Sequence, residues 1–225
     1  MPTHPSERSC PRSASHASRS GAPASAPATP VRCAARPQVG GLVVPWISYE
    51  HGGRAAFGSL DPIRRAKAFL HRLCQVCGER LEERICLVVR PMDVREGVAP
   101  EPGLHPECLA YSKKQCPMLN GGAATYRRTP VSAKHPAGRP CDDPACPCPK
   151  ITSDDAHHLR AGRPADDFDA WMIAAAHYRL KTDPANPNHL LGIDLNVPVL
   201  RVRPIRKNPR PDAEELLATL RALGL

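Results

Sequence analysis

An α+β fold, with short strands and small helices gathered around one central unit, follows from three features of the chain. Residues 74–78 spell C-Q-V-C-G and residues 105–108 spell H-P-E-C, two short-spaced pairs of metal-ligating side chains. Between them Arg84–Arg90, R-I-C-L-V-V-R, is rich in branched residues and stopped by Pro91, which is the composition of a strand. Helix-start chemistry flanks the first pair and overlaps the second: Asp61-Pro62 ahead of one apolar run, His105-Pro106 ahead of another.

Cys74, Cys77, His105 and Cys108 make one complete ligand set. A structural zinc ion takes four nitrogen or sulfur ligands in a tetrahedron, and two short-spaced pairs supply them. Gly78 tolerates the positive φ that a turn needs in order to aim both sulfurs at one point. Pro106 suits the first position of a helix, so His105 stands at its cap and Cys108 three residues on, on the same side of the first turn. The positive end of that helix also favours a Cys108 thiolate. Zn2+ is therefore the expected cofactor, and no small-molecule cofactor is implied. Cys86, inside the strand, is expected to be a small core residue, and Cys116 likewise.

The elements follow in order. Residues 1–38 are rich in Ser, Ala, Pro, Arg and His, show no apolar periodicity and are expected to be disordered. Such a run also resembles translated GC-rich upstream DNA, which would put the true start further in. Neither a signal-peptide core nor an apolar run of roughly 20 residues is present, so a soluble cytoplasmic protein without a membrane span is expected. In that compartment the ten cysteines point to metal binding before disulfides. A zinc-binding domain is expected over 39–125. It opens with a strand from Val39 to Glu50, edged by Pro45 and anchored by Trp46. A helix over Asp61–Leu73 follows, with Ile63, Ala66, Phe69, Leu70 and Leu73 on its apolar face. After the strand at 84–90, a polar loop from Asp93 to Gly103 leads to a helix over Pro106–Gln115, halted by Pro117.

The order of knuckle, hairpin, loop and helix bearing the second ligand pair resembles the treble-clef zinc-finger family over about 45 of the 225 residues. R-L-C-Q-V-C-G with G-L-H-P-E-C and C-P-M further resembles a group of zinc-finger proteins from high-GC Gram-positive bacteria and their phages, a group with no established activity to transfer. The first resemblance implies Cys74 and Cys77 on the knuckle and His105 and Cys108 on the helix.

Residues 126–165 form a Pro/Cys-rich linker. Cys141, Cys146 and Cys148 with His157 outline a second metal site, weakened by the irregular C-x4-C-x-C spacing and the prolines on both sides of Cys148. Over 166–225 an α/β segment is expected to pack on or beside the zinc domain. It comprises a helix from Asp166 with an acidic first turn, a Pro/Asn turn at 183–188, a strand over Val197–Arg203 and a closing helix from Asp212. That last helix carries a capping box with Glu215 and a buried stripe of Leu216, Leu217, Leu220 and Leu223.

The formal net charge is +9, and Arg201, Arg203, Arg206 and Lys207 are candidate phosphate contacts. No aromatic residues interleave with them for base stacking, and arginine is inflated by GC-rich coding. Three function classes therefore stand. One is a zinc-stabilised interaction module whose partner is nucleic acid or another protein. Another is a metal-dependent nuclease of a mobile element, although the strand I-C-L-V-V lacks the catalytic histidine that nucleases of the treble-clef family place on the hairpin. The third is a purely structural partner-binding protein. A deaminase is excluded, because H-P-E-C follows the C-x2-C pair instead of preceding it and that pair lacks its proline.

Overall fold

The computed structural model describes residues 28–51, 54–128, 157–208 and 213–223. The chain enters through a single 3-10 turn, Val31–Cys33, and turns through a short hairpin of β1 (Gln38–Val39) and β2 (Leu42–Val43). Gly40 and Gly41, with φ of 58° and 78°, make the turn between the two strands. A second hairpin, β3 (Ser48–His51) with β4 (Arg54–Leu60), leads into α1 (Pro62–Leu70). Where one strand was expected over 39–50 there are three, because Gly40-Gly41 reverses the chain and Pro45 separates β2 from β3. The second member of the 48–60 hairpin, β4, was not foreseen.

Helix α1 starts as its chemistry dictates. The Asp61 carboxylate accepts from the Ile63 and Arg64 amides, at 2.9 and 3.0 Å, with Pro62 at the first helical position. Its buried side is Ala68 and Phe69, while Ile63 and Leu70 are exposed, contrary to the expected apolar face. The helix stops at Leu70 because Arg72 takes a left-handed conformation (φ 53°), and Leu73 instead forms a β-bridge with Arg80.

β5 (Arg84–Val89) is the strand the sequence promised, and Ile85, Cys86, Leu87 and Val89 are all buried on it. After it, α2 (Pro91–Glu96) and β6 (Val98–Ala99) occupy most of the expected loop. The Asp93 carboxylate accepts from the Arg90 amide at 2.8 Å and Gly97 ends the helix at φ 66°, so this one-and-a-half-turn helix is capped at both ends. Helices α3 (Pro106–Gln115) and α4 (Pro117–Asn120) follow; α3 has the expected bounds.

The carboxy-terminal half departs most from expectation. After α5 (His157–Arg160), the segment expected as a helix is β7 (Phe168–Ala174), followed by a 3-10 turn over Ala175–His177. β7 is the middle strand of the sheet β10-β7-β5, antiparallel to both neighbours, with β10 at Val199–Arg206. A strand buried on both faces, as β5 is, needs a ladder partner, and this demand overrides the helical leaning of an alanine-rich run. The aspartates read as a dipole-matched helix start instead make specific bonds. Asp166 accepts from the Tyr126 hydroxyl at 2.7 Å, Asp167 from the Asn208 amide at 2.8 Å, and Asp169 pairs with Lys207 at 2.9 Å.

β8 (Leu180–Asp183) and β9 (Asn186–Asp194) then form a hairpin, shortening the expected turn at 183–188, and β6 pairs with β9. Ile173, Tyr178, Ile193 and Leu195 share one buried cluster with Phe69, Ile85, Leu87 and Leu104, so residues beyond 166 complete the core around the ligand-bearing segments. α6 (Ala213–Ala222) begins where expected, but Leu217 and Leu223 are exposed and Leu220 is half-buried, so the expected buried stripe does not form among its described side chains. The capping-box side chains at 212 and 215 lie outside the described residues. No described helix is long and apolar enough to cross a membrane.

Candidate metal centre

The knuckle is built by backbone bonds that leave its sulfurs pointing inward. The Cys74 amide donates to the Glu79 carbonyl (2.8 Å), the Gly78 amide to the Cys74 carbonyl (2.9 Å) and the Leu81 amide to the Arg72 carbonyl (2.8 Å), closing a tight loop over 74–79. Gly78 has φ 83°, and a Cβ there would lie 2.4 Å from Cδ1 of Trp46, so the indole packs directly against the turn. Trp46 and Ile47 in turn donate their amides to the Val76 and Gln75 carbonyls, at 2.9 and 3.1 Å.

The second ligand pair is placed by the core strand. Cys86 and Leu104 exchange both backbone hydrogen bonds at 2.9 Å, so Leu104 continues the sheet beyond β5 and fixes the residue that follows it, His105. Gln75 joins the two halves, donating its amide to the Gly103 carbonyl at 3.1 Å and its side-chain nitrogen to the Pro102 carbonyl at 2.8 Å. Pro106 then starts α3, which carries Cys108 on its inner side.

These constraints bring Cys74, Cys77, His105 and Cys108 together. Their ligand atoms all lie within 4.8 Å of one another, every one of the four residues is buried, and the group could hold a metal ion. The Cys77 sulfur lies 3.4 Å from Nδ1 of His105, whose Nε2 is 3.0 Å from the Arg80 carbonyl oxygen. A carbonyl can only accept, so Nε2 carries the proton and Nδ1 offers its lone pair inward to the sulfurs.

The close packing of the three buried sulfurs shifts their thiols in opposite directions. Hydrogen bonds from the Cys108 and Cys77 thiols hold the Cys74 thiol far below its ordinary value. The same bonds, seen from Cys108, push that thiol far up. At Cys77 the Cys108 thiol favours the thiolate, but the Cys74 thiolate and burial outweigh it and lift the group to about 12. Three sulfurs this close and this buried share protons unless a positive ion lets them all ionise.

Above the centre lies a residue that the sequence did not flag. Cys33 is fully buried in the same cluster as Cys74, Cys77 and Cys108, and burial pushes its thiol up. Its neighbour Arg32 reaches Glu79 and Glu107 at 2.7 Å each and also pairs with Glu82, and thus ties the knuckle side to the first turn of α3. Ordered structure therefore begins before residue 38, where disorder was expected. The buried Cys33 side chain and the three ion pairs of Arg32 account for this, and nothing in the local Ser/Ala/Pro/Arg composition signals either.

The remaining candidates fare differently. Cys141, Cys146 and Cys148 lie outside the described residues, as does the side chain of His157, which opens α5. Cys86 is buried behind the site, and Cys116, at the end of α3, is half-buried. Arg201 and Arg203 are exposed on the edge strand β10. Arg206 and Lys207 are otherwise engaged. Arg206 is half-buried and donates to the Met118 and Ala123 carbonyls, at 2.9 and 2.7 Å, where it closes α4, and Lys207 pairs with Asp169.

No protein-family model, no curated protein and no solved structure matches this chain.

Proposed function

We propose that Cys74, Cys77, His105 and Cys108 hold one zinc ion as a closed structural centre, and that the chain is a zinc-stabilised interaction module. The observation that carries this reading is the convergence of three buried sulfurs and an imidazole nitrogen within 4.8 Å. Tetrahedral zinc with bonds near 2.3 Å to sulfur and 2.0 Å to nitrogen needs ligand atoms roughly 3.5–4 Å apart, close to what these side chains present. The Arg80 carbonyl supplies the outer bond that orients a ligating histidine. A knuckle, a core strand and a helix carrying the second pair also support the treble-clef likeness. Four protein ligands leave no coordination position for water, which favours a structural ion over a nuclease centre. Substitution with cobalt(II) tests the reading. A tetrahedral spectrum with sulfur charge-transfer bands from three thiolates supports it, and an octahedral spectrum without them overturns it.

Contact with nucleic acid is a second reading, favoured by the exposed guanidinium groups of Arg201 and Arg203 on β10, beside Lys113, whose Nζ lies 3.3 Å from the Pro204 carbonyl. Few cations are involved, so the salt slope of any binding must be shallow, near one unit per phosphate neutralised. Absence of binding to duplex DNA or single-stranded RNA at low salt removes this reading and leaves a protein partner.

A further inference from the structure

We propose that the cleft between α3, α4 and β10 binds the phosphate group of a small organic phosphate, with Arg206 as its fixed anchor and Lys113 and Lys114 beside it. The cleft measures 710 Å3, a size typical of small-molecule sites. Lys113, Lys114, Arg206 and Lys207 line it, and among the described residues no carboxylate does. It shares no residue with the metal centre.

Arg206 is the group that calls for an anion. Its side chain is half-buried, and its bonds among the described residues all go to neutral oxygens. Nη1 donates to the Met118 and Ala123 carbonyls, at 2.9 and 2.7 Å, and Nε to Oδ1 of Asn208 at 3.0 Å. These bonds leave both N–H groups of Nη2 without a partner among the described residues. A partly buried guanidinium is ordinarily matched by a carboxylate, as Arg36 is by Glu50 and Arg90 by Asp93. Arg206 has no such match, and its planar fork is already held in one orientation, so the remaining donors are preorganised for a phosphate oxygen.

The neighbouring cations are also largely uncommitted. Nζ of Lys113 meets the Pro204 carbonyl at 3.3 Å, Lys114 is exposed with no partner among the described residues, and only Lys207 is neutralised, by Asp169. Lysines in the last turn of a helix also suit its dipole, but that role needs neither a cleft nor Arg206. The register of β10 slips between Pro204 and Arg206, and both Ile205 and Arg206 line the cleft, where consecutive residues of an unbroken strand would face opposite ways. The bulge thus brings a guanidinium and an apolar side chain to one place. Ala110 and Leu119 extend the apolar wall, which suits a ligand with a carbon body, and no described aromatic residue lines the cleft to stack a base. A second cavity, of 310 Å3, holds three arginines, but Asp166 and Asp167 line it too and Arg90 is paired with Asp93.

Isothermal titration calorimetry of the folded full chain as purified, at low ionic strength, tests the site. The probes are n-butyl phosphate, inorganic phosphate and an oligothymidylate without terminal phosphates. Butyl phosphate should bind saturably, one per chain, and several-fold more tightly than inorganic phosphate, because its alkyl chain meets the apolar wall. Lys114→Gln should weaken that binding several-fold, and Arg206→Lys, which keeps the charge but loses the fork, by at least about tenfold. Arg163→Gln, which removes one charge from the other cavity, should bind as wild type. Arg206 also closes α4, so Lys114→Gln decides the matter if the Arg206 variant fails to fold. Absence of saturable butyl phosphate binding, or wild-type affinity in Lys114→Gln, overturns the proposal. So does an oligothymidylate that displaces butyl phosphate at lower concentration than inorganic phosphate does, which would make the cleft part of a nucleic-acid face instead.

Discussion

Nε2 of His105 lies 3.0 Å from the carbonyl oxygen of Arg80, and this contact assigns the other ring nitrogen to the three cysteines. It gives the His105 ring a fixed tautomer, at the cap of a helix that also carries Cys108. His105→Ala should therefore weaken zinc binding by at least about tenfold, the scale on which loss of an orienting contact alone is felt. His105→Cys, which restores a fourth ligand, should recover most of it. Competition against a chelator of known affinity measures both, and equal affinity in the wild type and His105→Ala would remove His105 from the ligand set.

Gly78 and Trp46 make the second prediction. The turn at Gly78 has φ 83°, and an added Cβ would fall 2.4 Å from the indole. Gly78→Ala should destabilise the domain by about 1–3 kcal/mol from backbone conformation alone, with the steric clash in addition. Trp46→Ala removes the clash but not the φ strain. In a double-mutant cycle the two losses should be less than additive, because only the contact is shared. Strict additivity in chemical denaturation would show that the indole does not press on the turn.

A third prediction concerns the grip of Arg32. Arg32→Ala leaves Glu79, Glu82 and Glu107 without their common partner and frees the turn that covers Cys33. The rate at which a maleimide labels Cys33, followed on its own peptide, should rise well above that of the wild type. Raising the salt concentration should speed labelling of the wild type and have little effect on the variant, since surface ion pairs are screened. An unchanged rate would mean that packing alone holds the turn.

Acid stability supplies the fourth. Burial opposes the charge on Glu50, but hydrogen bonds from Arg64 and Arg36 outweigh it and hold the carboxyl below its ordinary value of 4.5. A depressed acid contributes stability that is fully present above the ordinary value and is lost as pH falls through the folded one. Glu50→Gln should accordingly be less stable than wild type at pH 7, and the gap should close as pH drops below about 4.5. Acid also strips thiolate-bound metal, but that loss is common to both proteins, so the difference between thermal melts of zinc-loaded wild type and variant gives the comparison. A gap independent of pH would show that the charge of Glu50 is not what Arg36 and Arg64 recognise.

What could be seen in the sequence was local chemistry. The clustered Cys74, Cys77, His105 and Cys108, the Asp61 and Pro62 start of α1, the Pro106 start of α3 and the strand at β5 are each declared within a few residues. α2 was also declared, by Pro91, Asp93 and Gly97, but its brevity hid it within a polar stretch. Two features had no local signature. β7 takes its strand conformation from β5 and β10 on either side, and F-D-A-W-M-I-A alone fits helix or strand equally well. Cys33 is ordered because a distant thiol cluster and three distant glutamates receive it and its neighbour, and no periodicity within residues 28–38 announces that. The exposed leucines of α6 make the converse point, since helical spacing shows a face but not what covers it.

The most direct test of the central claim is metal content measured together with folding. One zinc ion per chain is expected, lost with a strong chelator and with Cys77→Ser or Cys108→Ser, and the central domain should unfold when it goes, because structural zinc contributes folding free energy outright. A chain that purifies without stoichiometric zinc, or a Cys77→Ser protein that stays cooperatively folded without metal, would contradict the account.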